Sequence, residues 1–299
     1  MWHRRLGHPS FYLLHFLFPT LVPNKSIFEI SCEACELGKH HRATFHSSLN
    51  KSTIPFSLMH TDVWGPSHIP TFNDYKWLVS FIDDCTRTTW VYLMKEKNAV
   101  FSILKVFHKM ICTQFNTVVK IVRSDKGGEY IYGGLSHYFS EHGMIHQTSC
   151  TNTPQQYGVA ERKNRHLLEL ARSIMFSMQV PKTYWGEAVL TAAYLINRLP
   201  TRVLGKKSPV ELLTQSFSLF PIPPKVFGCV CFVHNHSPVR KKLDPRAIKC
   251  VFLGYSPTQK GYKCYHPPSR KWYVSMDVTF DEHSSYFQPS QPSLQGRVS

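Results

Sequence analysis

Residues 57–94 read SLMHTDVWGPSHIPTFNDYKWLVSFIDDCTRTTWVYLM. Within them SLMHTDVWG, YKWLVSFIDD and TTWVYLM are apolar runs rich in β-branched and aromatic residues, separated by turn-formers, which is the pattern of three successive strands. Working outward from this stretch, Val100, Ile103, Leu104, Phe107, Met110 and Ile111 recur at helical spacing within Glu96–Phe115. VVKIVRSD then reads as a buried strand, GLSHYFSEHG as a short helix stopped by Gly143, and IHQTSC as a fifth strand. From Val159 to Met178 a second long amphipathic helix carries Leu167, Leu170, Ala171, Ile174, Met175 and Met178 on one face. A further helix, Tyr184 to Leu199, follows Pro181. Three strands, a helix, a strand, a helix, a strand and then helices make an α/β layer architecture with a mixed five-stranded sheet.

The chain around this segment has 299 residues, enough for two or three small domains. Composition divides it into 1–48, rich in His, Cys and basic residues; 49–215, the strand–helix segment; 220–283, short, aromatic and turn-rich; and 284–299, a Ser/Gln/Pro-rich tail expected to be disordered. Thirty-five Lys and Arg against nineteen Asp and Glu give a net charge of +16. Such an excess serves a polyanion, nucleic acid first among them. The longest apolar run near the N-terminus, Phe11–Phe18, is far too short to span a bilayer, and MWHRRLGH before it lacks the core of a signal peptide. No membrane partner is expected, and the chain reads as intracellular. Nine cysteines cannot all pair within one chain, so in a reducing compartment closely spaced ones read first as metal ligands.

Three acids fall at places where an acid needs a reason. Asp62 lies inside the first strand among Leu58, Met59, Val63 and Trp64; Asp125 ends the fourth strand before a Gly pair; Glu161 stands in the first turn of the second long helix. A carboxylate within or ending a core strand is costly unless it is paired or holds a cation. Singly, Asp125 is ordinary turn chemistry and Glu161 an acid complementing a helix dipole. Together, at strand ends and an adjacent helix start, they suit two Mg²⁺ (or Mn²⁺) ions acting on a phosphodiester.

Near the N-terminus four residues separate His3 from His8, and after twenty-three more Cys32 and Cys35 form a CxxC. Two imidazoles and two thiolates satisfy tetrahedral Zn²⁺, and a segment of this size gains from a metal staple. A redox CxxC is the alternative, but such a motif opens a helix after a strand, and none precedes Cys32. Between Phe220 and Tyr286, ten Lys or Arg against four acids leave +6, and VFGCVCFVH, KCVFLGYS, GYKCYH and WYVSMDVTF alternate with turns, as in a small β-barrel. Cys229, Cys231, Cys250 and Cys264 read as buried thiols rather than a second zinc site.

HTDVWGP, SDKGGEY and TPQQYGVAERKNRHLLE resemble the copia-type branch of retroviral and retrotransposon integrases, whose RNase H-like core carries Asp, Asp and Glu with thirty-five residues between the last two. Thirty-five separate Asp125 from Glu161, and the family's catalytic, metal-binding triad falls on Asp62, Asp125 and Glu161. Tyr157 departs from the Asn that members of the group more often carry there. The resemblance covers about residues 2–283 and implies a small helical His–His–Cys–Cys pre-integrase zinc module before the core and an SH3-like DNA-binding domain after it, similar in KVFGCVCFVH and LDPRAIKCVFLGYS. It implies an enzyme, a polynucleotidyl transferase that inserts element DNA by attack of a 3′-hydroxyl on a target phosphodiester. Its partners are element-end and target DNA and further copies of itself, and it acts in the nucleus, with a cytoplasmic particle as a second location. Arg162, Arg165 and Arg172 share a third of the helix circumference with Glu161, suited to a phosphate backbone, and Arg240, Lys241 and Lys242 form a basic turn in the last domain. Glu–Arg pairing on a solvated face is the plainer explanation of those arginines. The chain is expected to be a polyprotein fragment or a decayed genomic copy, inactive in isolation if so. Two other functions compete with strand transfer: a catalytically silent or domesticated DNA-binding relic, and an RNase H-like nuclease that cuts without joining.

Overall fold

A computed structural model describes residues 52–125, 127–131, 134–148, 158–214, 222–235 and 241–288. The expected zinc module, the tail beyond 288, and His3, His8, Cys32, Cys35, Tyr157 and Arg240 lie outside the described residues.

The first sheet contains β1 (Leu58–Trp64), β2 (Trp77–Asp83), β3 (Thr89–Met94), β4 (Ile121–Ser124) and β5 (Ile145–Thr148), in the order β3-β2-β1-β4-β5. β1 to β3 form an antiparallel meander, whereas β4 joins β1 and β5 joins β4 in parallel, so the sheet is mixed as expected. Helices α1 (Val100–Phe115), α2 (Gly128–Ile131), α3 (Leu135–Glu141), α4 (Gly158–Ser177), α5 (Trp185–Arg198) and α6 (Pro209–Thr214) fill the connections and follow the sheet. A 3₁₀ turn, Lys97–Ala99, leads into α1, and Asn116 in the left-handed conformation ends it.

Strand alternation sorts the side chains to two faces. Met59, Val63, Val79 and Phe81 pack with Leu104, Phe107 and Ile111 of α1 and Leu135 and Phe139 of α3. Phe81 and Phe107 stack at 4.3 Å and 8°. Trp64 and Leu78 face the other way, onto Leu167 and Ala171 of α4 and Ala188, Val189 and Ala192 of α5. The result is a sheet between two helical layers.

A second sheet follows: β6 (Cys229–His234), β7 (Ala247–Tyr255), β8 (Tyr262–His266), β9 (Lys271–Ser275) and β10 (Val278–Ser285), ordered β10-β6-β7-β8-β9 and antiparallel throughout. Bulges interrupt β7 and β10 and let the sheet curl. Tyr262 of β8 therefore meets Phe280 of β10 at 4.7 Å although two strands separate them in the sheet. Cys229, Cys231, Cys250 and Cys264 are buried thiols in that interior, beside Phe252. β10 runs on to Ser285, and Tyr286 and Phe287 pack against the first domain's interior. The boundary expected at 283 therefore falls inside a strand, because Ser285 anchors it by donating to the Met178 carbonyl at 2.5 Å.

The two sheets share one core. Val251 and Leu253 on the outer face of β7, with Tyr265 of β8, join the cluster built by α4 and α5. Tyr194 of α5 stacks on Tyr255 at 3.9 Å, with the Arg198 guanidinium 3.6 Å over the Tyr194 ring. Gly254 (φ +121°) and Gly228 (φ +86°) make the approach feasible: a Cβ on the first would strike the Thr191 hydroxyl, and on the second a Val180 methyl.

Candidate active site

β1 carries Asp62 on the face covered by α4, two residues beyond His60 and two before Trp64. Its carboxylate accepts from the Asn164 side-chain amide at 2.8 Å and from the Val63 backbone N–H at 2.9 Å. Burial pushes Asp62 up to about 6; the charges of Asp125 and Glu161 push the same way, against the pull of those two hydrogen bonds. Asp62 is thus an acid in a strand that senses both of the other two acids.

The parallel register places Asp125 nearby. His60 sits opposite Arg123, so continuing by two residues sets Asp62 beside Asp125. There the chain turns: Gly127 N–H donates to Asp125 Oδ1 at 3.0 Å, and Tyr130 N–H to the Gly127 carbonyl. Tyr130, fully buried, ties this turn to β1 through a 2.8 Å hydrogen bond with Thr61, the neighbour of Asp62. Glu161 stands in the first turn of α4, exposed, and takes its counter-charge from Arg165 at 3.3 Å.

Among the described residues no three His, Cys, Asp or Glu side chains stand gathered as a ready metal cage. Like charges repel, and Glu161 turns to Arg165 instead of toward Asp62. The donor set nevertheless fits a hard divalent cation: three carboxylates, one of them desolvated and raised, with a single side-chain hydrogen bond, from Asn164, at Asp62. A positive ion is the complement that such a group requires.

Behind Asp62 on the same face lies a buried polar layer. Asp84 accepts from Ser52 N–H at 2.7 Å and meets His60 Nε2 and Arg87 Nη1, each at 3.1 Å. Burial alone would raise Asp84, but His60, the Ser52 N–H and Arg87 hold it down at about 2. Burial lowers His60 more than Asp84 raises it. Lys163, one residue before Asn164, is brought down to about 8 by burial first and the nearby Arg87 charge second.

The expected DNA-contact residues divide. Arg162 folds back over Gly158 at the start of α4, Arg165 pairs with Glu161, and Arg172 donates to the Leu168 carbonyl at 3.2 Å. Glu–Arg pairing thus accounts for one of the three, and all three remain on the exposed side of α4. Lys241 and Lys242 are exposed, with the Lys241 N–H capping onto Asp244. Asn164 and Tyr130 were not evident as site residues from sequence. The available signals were an Asn one turn after Glu161 on the inward stripe of α4, and a Tyr five residues after Asp125.

Comparison with known proteins agrees with this architecture. Family models match in series: a GAG-pre-integrase domain over 1–40, an integrase core domain over 52–154 and a retroviral polymerase SH3-like domain over 229–294. The chain is 38% identical over 291 residues to the retrovirus-related Pol polyprotein from transposon RE2 of Arabidopsis thaliana, covering 94% of this chain and 19% of that one. It is 38% identical over 287 residues to the corresponding polyprotein from transposon TNT 1-94 of Nicotiana tabacum, covering 94% of this chain and 21% of that one. It therefore spans about a fifth of the length of the curated relatives it matches. A chain of the simian T-cell lymphotropic virus intasome, solved in complex with the PP2A regulatory subunit B56 gamma, is similar in fold, with a TM-score of 0.55 at 17% identity over 93% of this chain and 97% of that one.

Proposed function

We propose, for a chain that belongs to the integrase region of the retrovirus-related Pol polyproteins of copia-type transposons, metal-dependent DNA strand transfer that inserts element DNA into a target. The observation that carries this reading is Asp62, an acid inside a core strand whose ionisation is opposed by burial and by both Asp125 and Glu161. Asp62, Asp125 and Glu161 would hold two Mg²⁺ or Mn²⁺ ions, which supply the Lewis acidity that activates a 3′-hydroxyl and stabilises the leaving oxygen of a phosphodiester. The chain's own part is positional. Asn164 fixes the Asp62 carboxylate, Tyr130 fastens the Asp125 turn to β1, and α4 presents Glu161 beside exposed arginines able to hold the phosphate backbone. No side-chain nucleophile is required.

The same reading assigns His3, His8, Cys32 and Cys35 to Zn²⁺, and Arg240, Lys241 and Lys242 to contact with DNA. It makes the working form a homo-oligomer acting in the nucleus, delivered there from a cytoplasmic particle. Among the described residues no helix is long and apolar enough to cross a membrane.

The test is joining. Purified chain, Mg²⁺ or Mn²⁺ and a labelled duplex of element-end sequence are compared with Glu161→Gln and Asp62→Asn. Joined products that vanish in both variants support the reading. Metal-independent DNA binding with neither joining nor cutting would make the chain a binding relic, and cutting without joining would make it a nuclease.

A further inference from the structure

Beyond the triad, β1 leads through Trp64 into the loop 65–76, which the fold holds firmly. Trp185 Nε1 donates to the Ile69 carbonyl at 2.9 Å, Ser67 N–H to the Lys76 carbonyl at 2.7 Å and Tyr75 N–H to Thr71 Oγ1 at 3.1 Å. At its tip Phe72 stays 57% exposed although it touches Tyr184 at 4.8 Å and Tyr265 at 6.0 Å. Tyr265 passes the contact on to Trp272 of β9 at 4.7 Å, itself 37% exposed. Phe72, Tyr184 and Trp272, from the loop, the start of α5 and the second sheet, thus line one shallow cleft across the seam of the shared core. Asn73 and Thr183 line it too, offering hydrogen-bond donors and acceptors beside the rings.

Phe72 and Trp272 expose ring surface together at one cleft rather than singly, the arrangement that marks a binding surface. The surrounding charge narrows what does. Glu187 in the cleft is matched by Lys263 at 2.7 Å, whose ammonium also sits 4.4 Å over the Trp272 ring. That leaves the exposed Lys76 and Lys182, each next in sequence to a lining residue, against Asp74, while Lys271 alternates to the opposite face of β9 from Trp272. Ring faces, polar groups at their side and a basic rim are the three features that hold an unstacked nucleotide: base on ring, base edge on amide, phosphate near ammonium. An aliphatic or lipid partner would use the rings and leave the amide and the lysines unmatched.

We propose that this cleft receives an unpaired base of bound DNA, with Phe72 as the stacking platform. The proposal rests on the DNA-joining reading and deepens it: a 3′-hydroxyl is presented from a strand end, where bases leave their partners most readily. Trp64, two residues beyond Asp62, packs on Trp185, whose indole N–H holds the loop at Ile69, so the loop that carries Phe72 leaves β1 at the end that bears Asp62.

The experiment measures binding of the full, zinc-loaded chain without added Mg²⁺ or Mn²⁺, where no joining occurs. A blunt duplex is compared with the same duplex bearing a short single-stranded extension that contains 2-aminopurine. The extension is expected to tighten binding about tenfold and its fluorescence to be quenched on binding. Phe72→Ala should abolish both effects while leaving blunt-duplex affinity unchanged and the fold intact, and Phe72→Trp should keep both. Equal affinity for the two probes in the unaltered chain overturns the proposal, as does a preference that survives both Phe72→Ala and Trp272→Ala. Binding of a proline- or aromatic-rich peptide in place of the extension would also overturn it and assign the cleft to a protein partner. Preference without any joining in the metal assay would remove the enzymatic reading and leave the cleft standing, so the two failures are told apart.

Discussion

Replacing Asp62 with asparagine should make the protein more stable while abolishing any activity that depends on the carboxylate. In the folded chain Asp62 is pushed up to about 6 from an ordinary 3.8. Each pKa unit corresponds to about 1.4 kcal/mol, so the ionised carboxylate costs the native state about 3 kcal/mol. Because the folded value is the higher one, the native state holds the extra proton between pH 4 and 6, and stability falls as pH rises through that window. The cost is fully present above pH 6 and absent below pH 4. Asp84, held at about 2, acts in the opposite sense and at lower pH, so the two effects separate. Asparagine at 62 keeps the hydrogen bond from the Asn164 amide and, like the protonated acid, gives up the one from the Val63 N–H. Asp62→Asn should therefore gain about 2–3 kcal/mol at pH 7 without added Mg²⁺ or Mn²⁺, a rise of about 4–12 °C in melting temperature for a unit of this size. The assay is thermal melting of both proteins from pH 4 to 8. The difference should vanish near pH 4 and reach a plateau above pH 7. A variant equal to or less stable than the parent at pH 7, or a difference independent of pH, would refute the argument. Added Mg²⁺ should raise the melting temperature of the parent alone.

Three further outcomes follow from the packing. Asp84→Ala strands the buried His60 and the half-buried Arg87 without their shared acceptor, and chemical denaturation should register a loss of about 3–5 kcal/mol. Gly254→Ala forces a methyl onto the Thr191 hydroxyl at φ +121°, and a cost of about 1–3 kcal/mol by thermal melting is expected; Thr191→Ala in the same chain should restore part of it, since the backbone strain remains. Phe107→Ala empties the ring stack on Phe81 and should cost about 3–5 kcal/mol by denaturant titration, with the triad untouched.

Much of the first domain was legible because its strands and long helices obey strict periods. SLMHTDVWG and YKWLVSFIDD alternate or bury both faces, and α1 and α4 carry apolar stripes at 3.6 spacing. Asp62 stood out for the same reason, as an acid amid apolar neighbours. Asn164 and His108 sit on the inward faces of α4 and α1, where a period built on apolar residues skips a polar one, and what compensates each is distant in sequence. His108 meets Tyr138 thirty residues on, and the Asn164 NH2 donates to Asp62, 102 residues back. The short helices α2 and α6 are too brief to show a period. In β7 the run Cys250–Leu253 is buried on both faces, and no local pattern says that α5 covers the outer one.

That covering has a consequence for the order in which the chain becomes complete. When synthesis has passed Thr214, every strand of the first sheet has been made, yet the side of α5 that later meets Val251, Leu253 and Tyr265 is still bare. Thr191 and Tyr194, which meet Gly254 and Tyr255, are covered only once β7 has emerged. A nascent or truncated chain ending before residue 222 therefore presents that uncovered helix face to any chaperone or neighbouring chain. Cleavage of the chain between α6 and β6 would likewise leave that face open to water.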